Sequence, residues 1–126
     1  MAATNIRQFR AGIKRFRKMA EQRRKDRVKA VALRVFSGAV QGTRVDTGRL
    51  KGNWQIGEGR PPEGELDRQD PTGRATLAEG QRKIMAVSGD DIIWLHNGLP
   101  YAVVWEREDK MLATNIEAVR TWLEST

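Results

Sequence analysis

Ile92-Ile-Trp-Leu-His-Asn-Gly-Leu-Pro-Tyr-Ala-Val-Val-Trp-Glu106 is the densest apolar run in an otherwise polar chain, and its reading decides the fold. It holds two of the four Trp and the only Tyr. Ile92 to Leu95 is short, β-branched and aromatic, which predicts a buried strand. Asn97-Gly98 signals a turn, because both residue types tolerate positive φ. Pro100 fixes φ and favours the first turn of a helix. Tyr101, Val104 and Trp105 then share one helical face. A second hairpin strand from Tyr101 to Glu106 is the alternative, and the helical turn is preferred. The large rings imply that Tyr101 and Trp105 pack on Trp94 or on a long helix. On that reading truncating Trp105 would cost what a core aromatic costs.

The strand and its return need covering elements, and the rest of the chain supplies them. Ile6, Phe9, Ile13, Phe16 and Ala20 recur every three or four residues, and Val28, Val31, Val35 and Ala39 continue on nearly the same phase. This predicts helix from about Asn5 to Val40, bent within 21–27 where the apolar stripe lapses, or else two helices folded back on one core. A straight helix of that length reaches roughly 50 Å, more than one small core needs. Gly42 is a plausible stop. Asp46 or Thr47 caps a turn. Asn53 to Ile56 reads as a strand, with Trp54 and Ile56 flanking Gln55. Residues 57–73 are rich in Gly, Pro, Asp and Glu without periodicity. They predict a long exposed loop that is mobile until a neighbour orders it. Residues 75–87 read as helix, weakened by Gly80, and 110–124 as helix with Leu112, Ile116, Val119, Trp122 and Leu123 on one side. The expected class is α+β in a single domain over 1–126: a long N-terminal helix or helix pair (1–42), then a core (43–126). Its small antiparallel or mixed sheet is covered by helices.

A length of 126 residues suits one modest core. Without cysteine there is no disulfide frame and no thiolate metal site. No apolar run approaches 18 residues, which argues against a membrane span, and Met1-Ala-Ala-Thr-Asn lacks the core of a signal peptide. A cytosolic origin is expected. The net charge of +7 is uneven: residues 1–30 carry eleven Lys/Arg against two Asp/Glu, so the remainder is slightly acidic. Such a segment suits nucleic acid, an anionic surface or an acidic protein, though a solvated helix face explains it equally well.

Chemistry-bearing motifs are sparse. Asp46-Thr47-Gly48 matches the triplet of retroviral-type aspartic proteases, which share a proton between two carboxylates. Here Arg49 follows directly and would hold a carboxylate ionised, so a capped turn is the better reading. His96 stands alone, with no second His, no Cys and no helix-spaced carboxylate for a metal. It is expected to end its strand and bond to backbone. Gly57-x-Gly59 runs into Pro61-Pro62 and forms no phosphate loop. No cofactor, catalytic residue or metal site is expected. Glu106, Glu108 and Asp109 form an acidic patch around Arg107, suited to an Arg of this chain or a neighbour. The basic helix can contact phosphate but has no interleaved Tyr or Trp for stacking on single strands.

Two motifs in order resemble one family. Val45-Asp-Thr-Gly-Arg-Leu-Lys-Gly-Asn-Trp54 follows a first long helix. Asn97-Gly-Leu-Pro-Tyr-Ala-Val-Val-Trp-Glu106 supplies Asn, Pro-Tyr-Ala and Glu. Asp70 to Leu77 is also similar. The resemblance, over roughly residues 5–120, is to the tail-completion, or head–tail joining (neck), proteins of long-tailed bacteriophages. It implies a small structural virion protein without enzyme activity. Such a protein forms a ring, six copies favoured and twelve possible, at the head–tail junction of a virion assembled in host cytoplasm. The ring contacts connector and tail proteins, and DNA passes through it without sequence reading. Asp46, Thr47, Gly48, Arg49, Trp54, Asn97, Pro100, Tyr101 and Trp105 carry the motifs. One departure is that Arg107-Glu-Asp-Lys-Met-Leu112 stands where the family has a Gly/Pro-rich element. The assembly surface expected from the chain itself is Ile6, Phe9, Ile13 and Phe16 with Arg10 and Arg17, facing Glu106, Glu108 and Asp109 of the next copy. A basic nucleic-acid-binding accessory protein is the alternative.

Overall fold

In a computed structural model, residues 2–125 are described, with side chains from Asn5 onward. The order is α1 (Ala2–Gly42), α2 (Arg49–Gly52), β1 (Trp54–Glu58), α3 (Arg74–Ala86), β2 (Ile93–Asn97), α4 (Ala102–Asp109) and α5 (Met111–Glu124). The class is α+β, with a long N-terminal helix and a two-stranded antiparallel sheet. α1 runs unbroken, so the folded-back helix pair is corrected. At 41 residues it is about 60 Å long at 1.5 Å per residue.

Only the C-terminal half of α1 enters the core. Ala32, Phe36, Ala39 and Val40 are buried, Phe36 completely. The buried phase is therefore rotated from the valine stripe read in the sequence: Val31 and Val35 sit on its flanks, half-buried. Two helices pack on this half, α3 on one side and α5 on the other. Close approach decides both contacts. A methyl group at Gly80 would overlap the Phe36 ring, and one at Gly38 would overlap the Asn115 side chain. Gly80 is thus the point where α3 seats on α1, not merely a weak place in a helix.

The sheet pairs Trp54 with Asn97, Ile56 with Leu95 and Glu58 with Ile93. By strand alternation its inner face presents Trp54, Ile56, Leu95 and Ile93 to the helices. The outer face carries Gln55 and Gly57 opposite His96 and Trp94. β2 is only partly covered, not a buried strand: Trp94 is 38% exposed and Ile92, just before it, 62%. His96 lies within the ladder opposite Gln55 rather than at the strand end.

The segment between β1 and α3 covers part of that outer face. Most of its residues are exposed, as composition implies. The segment, however, is tied down by side chains reaching into it from the core and by one of its own reaching out. Asn53 Nδ2 donates to Leu66 O (3.1 Å), and Asn53 Oδ1 accepts the Leu66 amide (2.7 Å). Gln55 Nε2 donates to Gly64 O (3.2 Å), which explains how a polar strand residue can be buried. Arg68 donates to Gly52 O (2.7 Å) and pairs with Glu79 at 2.5 Å. The expectation of a free arm is corrected here: the tethers join residues 9 to 16 positions apart, and local composition does not show them.

Gly80→Ala gains about 1 kcal/mol of helix propensity but forces the buried Phe36 ring to move, and overpacking costs about 1–3 kcal/mol. Net destabilisation in urea denaturation is expected, with partial recovery when Phe36→Leu is added. A more stable Gly80→Ala single variant would show that α3 does not seat on Phe36.

Candidate functional site

The C-terminus of α1 hands the chain to the Val45–Leu50 motif through Thr43. Its hydroxyl donates to Ala39 O (2.5 Å) and accepts the indole N–H of Trp54 (2.8 Å). Trp54 is thereby the buried tryptophan, at 3% exposure, with its one polar atom satisfied. The following turn uses Thr47, whose hydroxyl accepts the Arg49 amide (3.3 Å). Asp46 is exposed and takes no part in that bond. Gly48 has φ 88°, and an added methyl there would strike the Asp70–Pro71 backbone. Its carbonyl accepts the Gly52 amide (2.9 Å) and the Asp70 amide (2.9 Å).

The second motif is sewn to the first. Asn97 Nδ2 donates to Leu50 O (2.8 Å), its Oδ1 accepts the Leu99 amide (3.2 Å), and the Gly98 amide donates to Asn53 O (3.1 Å). Pro100 is exposed just before α4, with Tyr101 at its N-cap, so the helical return was the correct choice. α4 lays Tyr101, Val104 and Trp105 against the first motif. Together with Arg44, the Asp46–Arg49 turn and Leu50 they line a cleft of about 340 Å³.

Two arginines wall this cleft, both neutralised from within the chain. Arg44 lies over the Trp105 ring at 3.9 Å and grips Asp109 with two bonds of 2.6 Å. That bidentate bond holds the Asp109 carboxyl below its ordinary value. Arg49 pairs with Glu65 and, at 3.5 Å, with Asp67. Sequence reasoning missed Arg44, because its partners Trp105 and Asp109 lie far along the chain, Asp109 being 65 positions away.

Several expected placements change. Trp105 is half-buried beneath Arg44 rather than in the core, and Tyr101 is 45% exposed. Glu106 turns inward and accepts the Leu112 (2.9 Å) and Ala113 (3.2 Å) amides, capping α5 where Lys110 offers no side-chain cap. With Asp109 held by Arg44, only Glu108 of the acidic patch is left unpaired and exposed. Ile6, Phe9, Ile13, Phe16, Arg10 and Arg17 are all exposed on the part of α1 beyond the core, as an assembly surface requires.

Asp70 anchors the loop that backs Gly48. Its carboxylate accepts the Thr76 amide (2.8 Å) and hydroxyl (2.7 Å) at the start of α3. Burial alone would raise its pKa, but the two Thr76 bonds, aided by the Arg68 charge and the Gly73 amide, hold it below the ordinary value.

Among the described residues no helix is long and apolar enough to cross a membrane, and no three His, Asp or Glu side chains gather as metal ligands. Comparison with protein-family models, curated proteins and solved structures finds no significant match to this chain.

Trp54→Ala should cost about 3–5 kcal/mol as a core truncation. Trp105→Ala should cost about 1–2 kcal/mol, from partial burial and one cation–π contact. Equal unfolding shifts would refute the difference in burial drawn between the two rings. Asp70→Asn should cost about 1–3 kcal/mol. Because the folded Asp70 pKa is lowered, its contribution is complete above the unfolded carboxylate value near 4 and fades as pH falls through the lower folded value. The gap between wild type and variant should therefore close below about pH 4. A gap that widens on acidification would contradict the assignment.

Proposed function

We propose that this chain is a structural ring subunit at the head–tail junction of a long-tailed bacteriophage, completing the tail and joining it to the connector. The observation that carries the reading is the convergence of its two motifs. Residues 45–54 and 97–106, far apart in sequence, are hydrogen-bonded to each other and share one cleft. Those are the residues in which the resemblance lies, so it rests on one connected piece of the fold rather than on scattered matches.

The distribution of surface supports the same reading. A ring subunit needs a small rigid body and an element that leaves it to meet a neighbour. Between Asn5 and Arg24 every α1 residue but Gly12 is exposed, and that span includes four large apolar side chains on one stripe. A monomer gains nothing from such a stripe. The tethered loop and the buried motif bonds supply the rigid body. In this reading the protein performs no reaction. It acts by fit, with DNA passing through the ring and phosphate charge met without base reading.

The exposed cations of the projecting helix favour one second reading, a basic nucleic-acid-binding accessory protein. Arg7, Arg10, Lys14, Arg15, Arg17 and Lys18 surround the helix without partners among the described residues. The two readings differ in their response to salt, because phosphate binding releases counterions.

Deleting residues 1–20 should leave a soluble domain whose urea midpoint matches the full chain, since the side chains of residues 5–20 do not enter the core. On the ring reading the truncated chain fails to complete tails in a complementation assay, and negative-stain images show tails without the terminal ring. If particles assemble normally and only a salt-sensitive affinity for duplex DNA is lost, the accessory reading replaces it.

A further inference from the structure

The projecting half of α1 has a more specific pattern than an apolar stripe. Ile6, Phe9, Ile13 and Phe16 follow a 3-4-3 spacing, which is a two-position heptad seam. They are 51%, 69%, 37% and 69% exposed. The flank position one step after each Phe falls on Arg10 and Arg17, and one heptad further on Arg24. The opposite flank falls on Asn5, Gly12 and Met19. Arg24 is already paired with Glu21 (2.6 Å), while Arg10 and Arg17 form no ion pair among the described residues. The seam is therefore edged by positive charge on one side and by none on the other. Two such seams packed on each other would set arginines against arginines when antiparallel, and against uncharged residues when parallel. Self-pairing lacks the electrostatic match that a stable coiled coil uses.

The same chain carries an apolar cleft with exposed carboxylates beside it. The apolar lining of the cleft is Leu50, Tyr101, Val104 and Trp105, with Tyr101 and Val104 exposed at 45% and 50%. Arg44 and Arg49 are neutralised by Asp109, Glu65 and Asp67, which leaves Asp46 and Glu108 as exposed carboxylates outside any ion pair among the described residues, with Arg107 an exposed cation on the same helix as Glu108. A chain cannot bring its own seam to this cleft. α1 is unbroken to Gly42, two residues before the cleft begins. Phe16 stands about 40 Å along the axis from that end, at 1.5 Å per residue. Only another copy can make the contact.

We propose that the α1 seam of one copy docks across the cleft of the next, seating a Phe on Val104 and Trp105 with Arg10 and Arg17 beside Asp46 and Glu108. This rests on the ring reading and names the surfaces that would build the ring. Seam and cleft are different surfaces, so the contact is head-to-tail and propagates until it closes. Apolar burial supplies the attraction, and charge sets the register.

The chain has no cysteine, which permits a direct test on full-length protein. Phe9→Cys and Val104→Cys chains, both changed at exposed positions, are mixed under mild oxidation. A mixed disulfide is expected, and a chain carrying both changes should give a ladder of covalent oligomers. Asp46→Lys with Glu108→Lys should weaken association at least tenfold by analytical ultracentrifugation, and Arg10→Glu with Arg17→Glu should restore it. Phe9→Cys homodimers forming faster than the mixed disulfide would overturn the proposal in favour of a coiled coil. Rings that form without the mixed disulfide would overturn this contact and leave the ring reading standing. A chain that stays monomeric at all concentrations, forms no mixed disulfide and binds duplex DNA with steep salt dependence would overturn both.

Discussion

The hydrogen bond from Trp54 to Thr43 joins the two halves of the molecule. Gly42 gives the long helix a place to stop, but the four carbonyls at its end still need partners. Thr43 satisfies Ala39 and at the same time receives the indole N–H of the first strand. One hydroxyl thus ends α1, buries a tryptophan without an unsatisfied donor and fixes where β1 begins. The Val45–Leu50 turn, the sheet and the cleft follow from that placement. Losing the hydroxyl would leave a buried N–H and a strained helix end together, and each is costly in a low-dielectric interior.

Much of the fold was legible because its elements are strongly patterned. Helix α1, the short strand after Gly52, the helices flanking β2 and the turn into α4 all follow from period and punctuation. What was not legible depends on partners distant in sequence. Residues 57–73 read as a free arm because Gly, Pro and acids dominate. Their anchors are Asn53, Gln55 and Arg68, whose side chains can be assigned only once the sheet is in place. Gly80 read as a defect because helix propensity is local, whereas its role is set by Phe36 on another helix. The phase of α1 shifted for a related reason. Valines count as core by type, but α3 and α5 together select the face that holds Phe36 and Val40.

The candidate site shows the same division. Both motifs were visible as sequence, and the tight turn at Gly48 and the return at Pro100 were the right local readings. Their meeting was not visible, because it depends on Asn97 bonding to Leu50 across 47 positions. The aromatic residues were assigned to the core by size alone. Size does not distinguish Trp54, whose N–H has a buried acceptor, from Trp105, whose face is covered by a guanidinium. The acidic patch divided likewise, because carboxylates near a helix start or an arginine are drawn inward by donors that composition does not locate.

The projecting half of α1 is helical by extension from the packed half. Starting a helix in water is unfavourable, and a segment of about twenty residues is only marginally stable alone. Here the first turns are already formed inside the core, so each residue outward adds only a propagation step. Opposing this, Arg10, Lys14 and Lys18 stack like charges four residues apart along one side, which destabilises a helix by tenths of a kcal/mol per pair. Screening of those cations therefore favours the helical form of the segment. A partner that matches those cations would stiffen the same rod that it docks on.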